Sequence, residues 1–528
     1  MSSILYDVEA RQKLISGVSK LAKAVTTTLG PRGRNVALLK YDEPIVTHDG
    51  VTVAKEITMD DEHEELGAKI VRQAAVKTNS LVGDGTTTSI MLADKLIQEG
   101  FKVISSGYNP MLVRKGITLA ANEVVSYITN NAKPVESEQD ITYVASVSCQ
   151  DKELGEKVSS AFRMVKQGNV IVSESKSNTI DINHNEGLQF NKGFVSQYFV
   201  SDEESNKCFL DNPLILLSED KINSLSPLLP ILEEIFESGK RSLLIIADSF
   251  SDSVIKSLVL NKLGGDFEVC AIEPPSYGDK RKALLDDIAL VTGTKVLSNM
   301  RNVSASDMSV EELGSCEKAV ISSDKTVLLN GSGESNEVES RINLLRSQIE
   351  ENEDNSESLK ERLNLLSGSV AEIAVGAPSE SEMKEKKMLV EDAVNALAAA
   401  QKGGIVPGGG TTFLSASLHL ETLVSSTENE EIRKGIEIVK NALHEPVRKI
   451  CYNGGVNGDV ILNQLLQEKK SNNNIGYDIV NNKVVDMMET GIIDPALVLT
   501  SAITNSASVS TSILTTDAIV VKKKKSDD

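Results

Sequence analysis

Tryptophan is absent from the 528 residues, and all aromatics together make up 4%. Cores built from this chain must be aliphatic, and the aromatic platforms on which single-stranded nucleic acid stacks are not expected. A basic surplus is missing too. The formal net charge of −21 argues against nucleic acid or an anionic membrane as partner, since either needs a basic face. Cysteine is scarce and scattered: Cys149, Cys208, Cys270, Cys316 and Cys451 never fall at CxxC spacing. Neither a zinc knuckle nor a redox pair is indicated, and isolated thiols suit a reducing compartment. The five histidines are as dispersed. No uninterrupted apolar run approaches the ~20 residues of a membrane span. The opening stretch, MSSILYDVEARQKL, has no basic segment leading into an apolar one, so a signal peptide is not expected and a cytoplasmic location is.

The length is enough for about three domains of ~100–200 residues each. Residues 4–131 read as mainly helical, with Leu14, Val18, Leu21, Ala22 and Val25 on one helical face up to the stop at Gly30-Pro31. IVTHDGVTVAKEI reads as a short β-like stretch with a turn at Asp49-Gly50. The acidic cluster Asp60–Glu65 reads as a solvated helix start, where carboxylates favour the dipole, and not as a metal site. Residues 187–370 alternate strands such as PLILLS and SLLIIAD with helices, an α/β pattern. Residues 403–520 return to helical texture, and VVKKKKSDD reads as a charged disordered tail. One domain interrupted by another explains why the two ends resemble each other.

No P-loop signature (GxxxxGKS or GxxxxGKT) is present. Instead the end segments carry glycine-flanked turns at 30–33, 49–50, 83–85 and 408–410. Glycines let a backbone approach closely, and a helix N-terminus offers N–H groups to an anion. In GDGTTT, the threonine hydroxyls add donors. An Asp facing phosphate implies an intervening divalent cation. Glu391-Asp392, alone, reads as a surface pair. SLSPLLPILEEIF carries Leu225, Leu228, Leu229, Leu232, Ile235 and Phe236 at helical spacing, and SVIKSLVLNKL carries Ile255, Leu258, Val259 and Leu263. Each stripe is first read as core-facing; two such helices together could leave a groove for apolar chains.

TLGPRGRNVAL, HDGVTVAKEI, GDGTTT, EGLQFNKGFVSQYF, YGDKRKALLDDIA, EMKEKKMLVEDAV, GIVPGGG and GIIDPALV follow one another along the chain. In this order and spacing the sequence resembles the group I chaperonins, the sixty-kilodalton type of bacteria and organelles, from about residue 4 to 518. The resemblance implies a multidomain α and α/β chaperonin fold. It has a mainly helical equatorial ATP-binding domain (4–131 and 403–520), a small intermediate hinge domain (132–186 and 371–402) and an α/β apical domain (187–370), followed by a tail at 521–528. It implies that Thr28, Leu29, Gly30 and Pro31 border the nucleotide phosphates with His48, and that Asp84 holds Mg2+, with K+ a further candidate cation. Gly85, Thr86, Thr87 and Thr88 bind the β- and γ-phosphates, and Asp49 and Asp392 orient or activate the attacking water. Gly409 and Asp494 lie at the ribose, and Asp478, Ile479 and Val480 at ribose and base. Phe194, Tyr198, Phe199, Leu229, Leu232, Ile255, Val259 and Leu260 match the apolar residues that bind non-native polypeptides and a ten-kilodalton-type co-chaperonin lid. Seven-membered homo-oligomeric rings, single or stacked in pairs, are likewise implied.

The sequence departs from the family pattern at three places: His48 replaces a usual Lys, Asp478-Ile479-Val480 replaces a usual Asn-Ala-Ala, and a charged end replaces a Gly/Met-rich tail. The function expected is an ATP-dependent chaperonin that captures, encloses and releases non-native chains. The alternative is an ATP-independent holdase with weakened turnover.

Overall fold

Helix Asp7–Val25 forms where the apolar spacing predicts it, with Leu14, Val18, Leu21, Ala22 and Val25 all buried. It ends in the tight turn Thr26–Thr28, before Gly30-Pro31. In this computed structural model the described residues are 2–522, apart from 41–42, 166–169, 176, 203–204, 266, 302, 304–307, 352–355 and 470–471. The chain divides into two compact units. The first comprises Met1–Ser160, Glu174–Thr179 and Val375–Asp528; the second, Ala161–Ser173 and Ile180–Ala374.

The first unit is a helical assembly built from both ends of the chain. Helix Ala496–Leu514 packs against Glu62–Val82, Thr86–Ser105 and Pro110–Asn131. By length and composition it could cross a membrane, but most of its apolar stretch is buried in the unit. Its Ser, Thr and Asn side chains are accommodated by short hydrogen bonds, such as Asn505 Nδ2 to Thr78 Oγ1 at 2.8 Å. The acidic cluster at 60–65 is less solvated than expected. Asp61 caps helix Glu62–Val82 and accepts from Lys13 Nζ at 2.6 Å. Glu64 is buried and accepts from Ser16 Oγ at 3.0 Å and from Lys20, so the cluster ties this helix to Asp7–Val25.

Two readings are corrected here. The segment after Asp49 is not β-like: strand Glu43–Thr47 is followed by helix Gly50–Glu56. The β-branched Val51, Thr52 and Val53 favour a strand, but the Asp49 carboxylate satisfies the free N–H groups of the first turn and starts a helix. The tail does not begin at 521. Strand Ala518–Lys522 pairs antiparallel with Ser2–Tyr6, Ser2 opposite Lys522 and Tyr6 opposite Ala518. The rest of the expected tail, 523–528, lies outside the described residues.

The second unit is organised on a ten-stranded sheet. Its parallel part, Leu214–Ser218, Ser242–Ala247 and Glu268–Ile272, is linked by helices Leu229–Glu237 and Asp252–Leu263. All five residues of Leu214–Ser218 are buried, as expected for a strand covered on both faces. The antiparallel part includes the hairpin Gly314–Ile321/Thr326–Gly331, flanked by Ile180–Phe190 and Cys208–Asp211. Helix Asp279–Thr292 is anchored through Asp287, fully buried, which accepts from Arg362 Nε at 2.6 Å, Arg362 Nη2 at 2.8 Å and Arg341 Nε at 3.1 Å. The two arginines belong to helices Ser335–Glu351 and Ser356–Leu366.

Candidate functional site

In the first unit, helices Glu62–Val82 and Thr86–Ser105 are joined by a three-residue turn in which Gly83 and Gly85 have φ of +69° and +86°. Only glycine takes that conformation without strain, and it leaves the N-terminus of a twenty-residue helix open behind Asp84. Three other segments close on this turn. A Cβ at Gly50 would fall 2.1 Å from Thr87 Oγ1, so the Asp49 turn lies against the threonines. A Cβ at Gly83 would fall 2.2 Å from that of Asn395, which brings up helix Glu380–Gly403 with Asp392 one turn earlier. Gly85 lies against Val498, just beyond strand Ile493–Pro495, which carries Asp494.

Four carboxylates therefore share one region, each of them half-buried. Burial, and then Asp84, Asp49 and Glu391, hold the Asp392 carboxyl well above the usual carboxylate range. Asp84 is raised by burial and by Asp49, with the Gly85 N–H pulling it back. Asp494 is pushed up to about 7 by burial and by Asp84. Asp49 differs: its oxygens accept from Val51 N (3.0 Å), Thr52 N (2.7 Å) and Thr52 Oγ1 (2.7 Å), which fixes its direction. Carboxyls raised by one another are short of positive charge, and a divalent cation supplies it. The Thr86 hydroxyl is buried and finds no partner among the described residues, so a donor is left over beside them. Within the described residues no group of three His, Cys, Asp or Glu is placed to hold a metal by itself. The donor set thus fits a cation shared with phosphate oxygens.

Around this centre, Gly30 begins a turn closed by Gly33 N to Gly30 O at 2.8 Å. Thr28 is buried and donates to Val25 O at 2.9 Å; Leu29 and Gly30 are half-buried and Pro31 is exposed. His48 packs against Gly33, and its Nε2 lies 3.4 Å from Gln150 Nε2. Burial lowers its pKa, and Glu385 and Asp49 oppose that shift. Thr87 and Thr88 are half-buried. The glycine run lies beside Asp494, a Cβ at Gly408 falling 3.0 Å from Asp494 Oδ1, and Gly409 (φ +62°) sits over Met487. Asp478 and Ile479 are buried and Val480 is exposed. Arg32 and Asn453, which no motif singled out, join the pieces. Arg32 donates to the carbonyls of Gly454 (3.3 Å) and Val480 (3.0 Å), and Asn453 Nδ2 to those of Thr26 and Leu29 (both 2.9 Å).

In the second unit the eight expected apolar residues divide. Tyr198 (69%), Leu229 (48%) and Leu260 (68%) are exposed, and Leu232 and Ile255 are half-buried. Phe194, Phe199 and Val259, expected in the same groove, are core residues as placed. The segment around Phe194 extends the sheet edge, through Phe194 N to Ser322 O (3.1 Å) and Val195 N to Ala271 O (3.0 Å). This turns both phenylalanines inward. Val259 shares the inner face of its helix with Val254 and Leu258. Phe236 and Leu263, in the apolar stripes but outside the family pattern, are 47% and 69% exposed.

The sequence pattern of the TCP-1/cpn60 chaperonin family matches residues 21–524, nearly the whole chain. The chain belongs to that chaperonin family. Its fold agrees: it is similar to the crystal structure of the chaperonin gp146 from the bacteriophage EL 2 (Pseudomonas aeruginosa), determined in presence of ATP-BeFx, with a TM-score of 0.69. Sequence identity is 20%, and the likeness covers 99% of each chain. For a chaperonin, a polar cleft in a helical unit and exposed apolar side chains on an α/β unit are the two features that a cycle of capture and release needs.

Proposed function

We propose that this chaperonin binds and hydrolyses ATP in the cleft around Asp84 and captures non-native polypeptides on the exposed apolar side chains of its second unit. The observation that carries this reading is the convergence of Asp49, Asp84, Asp392 and Asp494 on one glycine-flanked helix N-terminus. Thr28–Pro31 and Gly85–Thr88 would line the phosphates, and Gly409 and Asp494 the ribose. Asp478–Val480 would lie at the base. Asp84 would hold Mg2+, which when bound neutralises phosphate charge; K+ is a second candidate cation.

Asp392 and Asp49 then have different tasks. Asp49, locked by three donors, orients a water. Asp392, whose carboxyl burial and its acidic neighbours hold well above the usual carboxylate range, accepts the water proton as the bond from water to the γ-phosphorus forms and the bond to the ADP oxygen breaks. Polypeptide capture rests on Tyr198, Leu229 and Leu260 with Leu232 and Ile255, since burial of exposed apolar area is non-directional and accepts any unfolded chain. Rings, which we take to be seven-membered and single or paired, multiply these weak contacts by avidity. Leu39 (75% exposed) and Val46 (61%) on the hairpin Val36–Lys40/Glu43–Thr47 support self-association. A ten-kilodalton-type lid is a further partner, and the cytoplasm the compartment. Nothing in the site's geometry favours the ATP-independent holdase.

The test is Asp392→Ala. Nucleotide affinity should stay within a few-fold while turnover falls by about 10²–10⁴, the usual worth of a positioned proton acceptor. Turnover like that of the wild type removes Asp392 from the mechanism.

A further inference from the structure

We propose that the nucleotide cleft holds its ligand by the phosphates and not by the base, so that it accepts adenine and guanine nucleotides with little discrimination. This inference rests on the reading of Asp478–Val480 as the base-facing segment.

A site discriminates strongly between nucleobases only when it holds free hydrogen-bonding groups. Such groups reject the wrong ligand by about 10⁴–10⁵, whereas an apolar pocket manages only about 10–200-fold. In Asp478–Val480 the one side chain able to hydrogen-bond, that of Asp478, already accepts three bonds inside the protein. Asp478 is 8% exposed. Its Oδ1 accepts from Val480 N at 2.9 Å and Asn481 N at 3.1 Å, and its Oδ2 from Asn481 Nδ2 at 2.6 Å. Its carboxylate therefore holds its own turn together, an Asx motif. Ile479 is 4% exposed and packs on Gly454, where an added Cβ would fall 2.3 Å from it.

The adjoining polar groups are engaged as well. The Val480 N–H serves Asp478, and the Val480 and Gly454 carbonyls both receive Arg32. Asn453 spends its Nδ2 on the carbonyls of Thr26 and Leu29. Of the three side chains in the segment, the one that reaches out to meet a base is that of Val480, 55% exposed, against 8% for Asp478 and 4% for Ile479. An isopropyl group contacts the face of either purine equally well. Uncommitted polarity lies instead at the other end of the cleft, in the raised carboxyls and the partnerless Thr86 hydroxyl.

The experiment is calorimetric binding of ADP and of GDP, each with Mg2+, to the full-length protein. Dissociation constants within about 100-fold of each other are expected, and a ratio near 10⁴ overturns the inference while leaving the nucleotide site in place. Binding of neither nucleotide removes the site itself and the inference with it. Asp478→Asn keeps the acceptor of the turn and should leave the ADP/GDP ratio unchanged within threefold; a tenfold swing means that the carboxylate reads the base after all. Val480→Ala should weaken both nucleotides several-fold and in parallel, and weakening of one alone contradicts purely apolar contact.

Discussion

Replacing Leu229 and Leu260 together by serine separates polypeptide capture from folding. The two side chains are 48% and 68% exposed, so their outer halves are free to be covered by a bound chain. Full burial of a leucine stabilises by roughly 1.5–3 kcal/mol, so these exposed fractions together contribute roughly 2–3 kcal/mol per subunit, a factor of about 30–150 in affinity. In a ring the loss recurs in every subunit, and avidity compounds it. The assay is suppression of aggregation of a chemically denatured test protein, titrated against chaperonin and followed by light scattering. The double variant should need far more protein for the same suppression, with an unchanged melting temperature and unchanged ATP hydrolysis. Val259→Ser is the control. At 9% exposure it should cost the fold roughly 2–4 kcal/mol through lost packing and a buried hydroxyl. Undiminished capture by the double variant refutes the reasoning, and so does loss of capture in Val259→Ser without loss of thermal stability.

Two further outcomes follow from buried charges. Asp287→Ala leaves Arg362, whose side chain is 14% exposed, without its carboxylate; a loss of about 3–5 kcal/mol should appear as faster hydrogen exchange in Ser335–Glu351 and Ser356–Leu366, and unchanged protection there refutes it. Lys469 is 2% exposed and donates to Ser415 Oγ at 2.8 Å and Asn473 O at 2.6 Å. Burial lowers its pKa from 10.5 to about 7, against the opposing pull of Asp486. Between those two values the unfolded chain holds the extra proton, so stability rises with pH across that window. Measured by denaturant unfolding against Lys469→Met, the wild type should gain on the order of 4 kcal/mol from pH 7 to 10; a difference that does not change with pH contradicts a neutral buried amine.

The features legible from sequence were those set by local spacing. The stripe from Leu14 to Val25 and the strand–helix alternation of the second unit needed only periodicity, and the GDGTTT turn needed only two glycines and a helix behind them. What escaped depends on partners distant in sequence. Strand Ala518–Lys522 exists because Ser2–Tyr6 lies beside it. Phe199 is buried because its segment leans on the edge of Glu268–Ile272. Helix Gly50–Glu56 turned on a single carboxylate overriding three β-branched residues. Periodicity and spacing do not mark Asp392, since nothing in them indicates that its helix reaches Gly83; the family motif EMKEKKMLVEDAV alone points to it.

The contact of Asn395 with Gly83 also sets a clock. At about 5–20 residues per second, a ribosome needs roughly 15–60 s after making Asp84 before Asp392 exists. The turn, Asp49 and the Gly30 loop are therefore synthesised into a half-built cleft, and a nascent or truncated chain lacking the return segment holds no complete set of carboxylates. With the roles proposed for Asp84 and Asp392, turnover is tied to completion of the polypeptide, and a fragment that already exposes apolar side chains would not begin to cycle.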